Sequence, residues 1–218
     1  MRSHFTKQLQ QINDDLLRMG SRVEHALVDV GHLLESRDTD LAQRIIAGDR
    51  EVDAARSAIE EEILDIIAMQ QPVATDLRRL LATIAIANEL ERAADYAKGI
   101  AKRVIRGVSY ERLVDTPPQL RQMASIALTM LNTSLDAFVR NDAALARTLS
   151  TSDEEVDQLD DDVSEQLRDL ARNDPGRLDA VLAWLDVAHV LERLADRATN
   201  IGERVIFIAT SQNEELNP

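Results

Sequence analysis

Apolar side chains recur at helical spacing along almost the whole chain. Phe5, Leu9, Ile12, Leu16, Met19, Val23, Ala26, Val30 and Leu33 alternate steps of four and three. That rhythm is a heptad seam over about four heptads and predicts one long helix facing a partner. It stops near Glu35 to Asp38, where Asp38 or Thr39 can cap the next helix. A second seam, Leu41, Ile45, Val52, Ala55, Ile59, Ile63 and Ile66, runs to Pro72, because the residue before a proline disfavours helix. A third helix starts after Pro72, with Thr75 or Asp76 at its cap. It carries Leu77, Leu80, Ile84, Leu90, Ala97, Ile100 and Val104 to a stop at Gly107.

The pattern then starts again. After a linker from Val108 to Pro118, a fourth helix holds Leu120, Met123, Ala127, Met130, Leu131 and Phe138, ending before Asn141, a good N-cap for the next. A fifth runs to Pro175, and a sixth from about Arg177 to Thr210. Leu41, Ile45, Val52, Ile59, Ile63 and Ile66 return as Leu145, Leu149, Val156, Val163, Leu167 and Leu170, at a constant offset of 104. Leu77, Leu81, Ile84, Ile100, Val104 and Ile105 return as Leu178, Leu182, Leu185, Ile201, Val205 and Ile206, at an offset of 101. Three helices with short connections pack as an antiparallel bundle. The reading is an all-α protein of two tandem antiparallel three-helix bundles, 1–110 and 111–218, related by an internal repeat. The third and sixth helices are apolar on more than one face: Val187, Val190, Leu194, Ile201 and Ile208 form one stripe, while Leu178, Leu182 and Leu185 begin another. They are therefore expected to pack both inside their bundle and against the other repeat or a second subunit.

Composition supports helices. Aromatics are 3% of residues, with only 7 Gly and 5 Pro. The formal charge of −14 argues against nucleic acid as a partner, since no basic patch neutralises phosphates. With no cysteine, disulfides and thiolate chemistry are excluded. No apolar leader or membrane-length run is visible, so a cytoplasmic protein is expected.

The repeat also carries the candidate chemistry. Asp49 and Asp53 return as Asp153 and Asp157, and Glu91 and Asp95 return as Glu192 and Asp196. Each pair has i,i+4 spacing, where like charges on a helix repel by a few tenths of a kcal/mol. At 100° per residue all four pairs border the apolar seams, so each bundle can turn four carboxylates toward one groove. Such a groove suits oxygen-preferring cations: Mg, Ca, Mn or iron. The competing use is a solvated acidic face, with Arg92 and Arg193 pairing neighbouring carboxylates. Of the four histidines, His189 alone lies on the acidic stripe, three residues before Glu192. No phosphate loop, nucleophile elbow or His-Glu-x-x-His is present, and no histidine follows a glutamate by three as di-iron bundles require.

Three stretches carry a family resemblance. Pro-x-x-x-Asp-Leu-Arg from Pro72 to Arg78, Glu91-Arg92-x-x-Asp95, and Leu191-Glu192-Arg193-Leu-Ala-Asp196-Arg-Ala-Thr-Asn200-Ile201-Gly-Glu203 together resemble the PhoU family of bacterial phosphate-regulon regulators. The resemblance spans nearly the whole chain. It implies metal on each bundle at Asp49, Asp53, Glu91, Asp95, Asp153, Asp157, Glu192, Asp196 and Asn200. The metal would be iron above all, with Mn, Mg or Zn as alternatives, in multinuclear form. It further implies a homodimer, non-enzymatic, that reaches the membrane only through partners. It would act as a negative regulator between the ATPase side of the Pst phosphate transporter and a phosphate-sensing histidine kinase. The family often has Asn four residues after the motif Asp; the second repeat keeps it as Asn200, whereas the first has Gly99. Two rivals remain: a metal-dependent helical enzyme, and a metal-free helical adaptor binding basic partner surfaces.

Overall fold

The computed structural model describes residues 2–108 and 114–217. Every regular element among them is helical. The first unit contains α1 (Arg2–Ser36), α2 (Thr39–Gln70) and α3 (Ala74–Val108). The second contains α4 (Pro118–Arg140), α5 (Ala143–Arg147), α6 (Leu149–Asn173), a single 3-10 turn (Pro175–Arg177) and α7 (Leu178–Thr210). Within each unit the three long helices pack pairwise. The heptad residues Ile12, Leu16, Met19, Val23, Val30 and Leu33 are all buried. The expected boundary at 110/111 falls outside the described residues.

Local chemistry sets the helix ends. The Asp38 carboxylate accepts from the amides of Asp40 and Leu41, at 2.8 and 3.3 Å, and so caps α2. Gln71 closes α2 in the left-handed region. Three expectations change here. Helix α3 begins at Ala74, ahead of Thr75 and Asp76, so Asp76 lies in its first turn. Asn141 is not an N-cap: it ends α4 with φ 52°, and Asp142 caps α5 by accepting from Ala144 and Leu145. The expected fifth helix is interrupted at Thr148, whose hydroxyl bonds back to the Leu145 carbonyl at 2.7 Å.

The two units share a broad interface. Helices α3 and α7 run antiparallel, with Arg78 reaching Ser211, Glu89 meeting Arg197 and Asn200, and Arg103 meeting Asp186. Val187, Val190, Leu194, Ile201 and Ile208 are all buried, and α7 packs on α3, α4 and α6. The doubled interface expected of α3 and α7 is therefore present. Its second stripe behaves differently: Leu81, Leu178 and Leu182 are about half exposed. Helices α1 and α4 also cross between units. A Cβ at Gly20 would stand 2.7 Å from Leu135 Cδ1, so the two helices meet closely there and a larger residue would displace the leucine tip. At the end of α1, Arg37 stacks on Trp184 of α7, and both donate to the Val114 carbonyl, at 2.7 and 3.1 Å. One cluster thus ties the end of the first helix, the linker and the last helix together.

Candidate functional site

The repeat places each acidic pair beside its core. Asp49 and Asp53 lie on α2 facing Glu91 and Asp95 on α3, and Asp153 and Asp157 lie on α6 facing Glu192 and Asp196 on α7. In each repeat the first aspartate of the helix-two pair is deeply buried: Asp49 is 5% exposed and Asp153 is 4% exposed. Their partners Asp53 and Asp157 face solvent. This follows from the seam, because Asp49 and Asp153 each precede a buried valine, Val52 or Val156, by three residues. Burial of a carboxylate is costly unless something compensates it.

The two repeats compensate differently. In the first, Lys98 reaches from α3 into the groove, and its ammonium donates to both Asp49 and Asp95, the latter at 3.0 Å. These two bonds, that to Asp49 first, hold the Lys98 ammonium well above the usual lysine range. Glu91 is pushed up by burial first, then by Asp95 and Asp53, while Arg56 and Arg92 pull the other way. Arg92 also lies 3.5 Å from Glu89.

In the second repeat the position equivalent to Lys98 is Thr199, buried, its hydroxyl bonded to the Asp196 main-chain carbonyl at 2.8 Å. No ammonium enters. Burial pushes the Asp153 carboxyl up from 3.8 to about 7, and the charges that act on it, Asp196, Asp157, Glu192 and Glu154, are all carboxylates. Asp157 and Glu192 are raised by burial as well, with Asp196 the next cause for both. Glu192 Oε2 is buried without a hydrogen-bond partner; His189 Nδ1 is 3.5 Å away on an exposed ring. Asp196 is held by Asn217 at 3.1 Å and by Arg197 at 3.4 Å. Asn200 sits apart from the carboxylates and donates to Glu89 of α3 at 3.1 Å, so here it braces the interface between repeats.

Among the described residues no three acidic or histidine side chains close around one point as a formed metal site would. The structure thus gathers Asp153, Asp157, Glu192 and Asp196 in one groove and Asp49, Asp53, Glu91 and Asp95 in another, and sets Asn200 outside both. Lys98 is the residue that reading the motifs alone overlooks. Its signal was present in the repeat: three residues after the motif aspartate stands Lys98 in one copy and Thr199 in the other.

Comparison with known proteins agrees with the repeat. A family model described as "PhoU domain" matches residues 16–104 and again 120–205. A phosphate-specific transport system accessory protein PhoU homolog of Clostridium acetobutylicum is 34% identical, over 99% of both chains. One from Caulobacter vibrioides is 32% identical over 95% of this chain and 90% of its own. Crystal structures of PhoU from Pseudomonas aeruginosa and of the phosphate transport system regulatory protein PhoU from Streptococcus pneumoniae superpose with TM-scores of 0.91 and 0.90. The first is 31% identical and covers 95% of this chain and all of its own; the second is 28% identical and covers 97% and 99%. With both repeats matched and relatives aligned end to end, the chain belongs to the PhoU family.

Proposed function

We propose that this protein is a non-catalytic accessory regulator of phosphate uptake. It links a phosphate-specific transporter, through that transporter's ATPase subunit, to a phosphate-sensing histidine kinase, and it holds the phosphate regulon off when phosphate is plentiful. The observation that carries this reading is the end-to-end match to phosphate-transport accessory proteins. A cytoplasmic location and membrane association through partners follow from that role. Among the described residues no helix is long and apolar enough to cross a membrane. A homodimer is part of the same proposal.

The second-repeat groove fits a bound cation. Glu192 Oε2 is buried without a hydrogen bond, Asp153 is buried with only carboxylates acting on it, and the donors are all hard oxygens. Asp153, Asp157, Glu192 and Asp196 would hold the ion. Bound there, iron or another hard di- or trivalent cation would neutralise the repulsion between α6 and α7 and fix their spacing. The chain's own residues do the rest: the helices present the carboxylates, and Asn217 and Arg197 orient Asp196.

Deleting the gene, together with any second copy, and measuring alkaline phosphatase in high phosphate tests the regulatory role. Constitutive phosphatase is expected. Normal repression in the deletion strain contradicts it.

A further inference from the structure

The two grooves are equivalent by sequence and unequal by charge. In the first, Lys98 Nζ lies between Asp49 of α2 and Asp95 of α3, joining the two helices that a metal would join. In the second, the same helical position is Thr199, turned to its own backbone. We propose that Lys98 is a resident cation occupying the first groove, so that this chain takes metal at its second repeat only. The proposal rests on the cation reading of the second groove given above and deepens it: the family resemblance implies metal on both repeats, whereas the side chains present leave one place.

Three observations carry it. First, the lysine takes the innermost donor. Asp49 is the most buried carboxylate of its groove, and Lys98 binds its Oδ2 from a position that is itself only 27% exposed, leaving Oδ1 buried without a hydrogen-bond partner behind the ammonium. A metal ion seeking Asp49 would meet an ammonium at contact distance, and like charges that close in a partly dry groove repel strongly. Second, the lysine bridges helices. An ion pair within α3 alone would leave the α2–α3 groove open; this one spans it, as a metal would. Third, the remaining charges follow suit. Glu91 feels Arg56 and Arg92 besides its acidic neighbours, whereas its counterpart Glu192 is opposed only by His189; Arg197 meets Asp196 at the margin of the second groove, and the buried Asp153 feels carboxylates alone.

The test counts manganese(II) on the full-length protein, stripped with chelator and reloaded, by mass spectrometry and by electron paramagnetic resonance. Wild type is compared with Asp49→Asn, with Glu192→Gln/Asp196→Asn, and with Lys98→Met. Asp49→Asn is expected to leave the bound manganese unchanged, and the Glu192/Asp196 double variant to lose nearly all of it. Lys98→Met is expected to raise the bound metal about twofold, the increment vanishing when Asp49→Asn is added. Should Lys98→Met fail to fold, as judged by helical circular dichroism, the partition between Asp49→Asn and the double variant decides alone. Metal lost in part by each of those variants overturns the lysine proposal and leaves the cation reading standing. A folded Lys98→Met with wild-type stoichiometry does the same. If neither wild type nor Lys98→Met binds manganese, the cation reading itself falls, and this proposal with it.

Discussion

The first and second repeats bury the same aspartate at the same place and satisfy it in different ways. Asp49 receives an ammonium from the neighbouring helix; Asp153 receives nothing positive, and its carboxyl rises to about 7. The residue that makes the difference at the buried aspartate stands three past the motif aspartate, where the first repeat has lysine and the second threonine. A duplicated fold thus keeps its core pattern while dividing its chemistry. A buried acid can be balanced from inside the protein or left to draw a cation from solution. The first arrangement carries its own cation; the second leaves its buried carboxyl among other carboxylates.

The comparison can be broken most severely at the surface that joins the repeats. Leu194 is 2% exposed on α7, the helix that packs on α3, α4 and α6, where an introduced carboxylate would be buried. Leu194→Glu is expected to cost more than about 4 kcal/mol and to disrupt folding or assembly, seen as a lost or broadened urea transition. A variant with wild-type stability and size would show that this stripe is not a packing surface.

Next in size is the ammonium itself. Lys98→Met leaves Asp49 buried without a cation. Breaking a fully buried pair costs about 3 to 5 kcal/mol, and since Lys98 is 27% exposed about 1 to 3 kcal/mol is the reasonable range. Urea midpoints at low salt would show it; no change would mean that the ion pair contributes nothing to the first groove.

The second groove responds to pH with the opposite sign from a paired acid. Asp153 has a folded value of about 7 against an ordinary 3.8, so the folded state takes up the proton first. In metal-free protein its contribution to stability is complete below pH 4 and is lost as pH rises to about 7, by up to about 1.4 kcal/mol per unit. Asp153→Asn should therefore stabilise the metal-free protein at pH 8, with a gain that shrinks toward pH 4. Melting curves of both proteins across that range check it; a gain independent of pH would remove the charge explanation. Asp49→Asn should show no such gain, because it strands Lys98 instead.

The smallest effects concern glycines. Gly202 lies where α7 meets the break after α5: an added Cβ would stand 2.6 Å from Leu149 Cδ1 and 3.2 Å from Leu216 Cδ1. Gly31 has nothing within 4 Å. Gly31→Ala is expected to stabilise by about 0.5 to 1 kcal/mol through helix propensity, and Gly202→Ala to lose that gain to displaced leucine tips. Equal thermal shifts in the two variants would deny the close packing at Gly202.

The helices were legible because their seams are long and regular. Ile12 to Leu33 step by threes and fours without a break, and nothing but a buried helix face explains that. The repeat made the two bundles legible, and the doubled apolar faces of α3 and α7 marked the surface between them. Helix ends were less so. Asn141 and Asp142 are both capping residues, and only the left-handed backbone at Asn141 decides which ends α4 and which starts α5. The acidic grooves were legible as to which carboxylates gather, but not as to what balances them. Lys98 meets Asp49 across 49 residues of sequence, and no local pattern encodes that contact. Asn200 shows the converse: it lies one helical turn from Asp196, yet it turns to Glu89 on the other repeat.

The most direct test of the difference between the repeats is anomalous diffraction at the manganese edge from crystals of the full-length wild-type protein, loaded and then washed. The expected map has strong anomalous density among Asp153, Asp157, Glu192 and Asp196, with none between Asp49 and Asp95, where Lys98 remains. Comparable density in both grooves, with Lys98 swung aside, would contradict it.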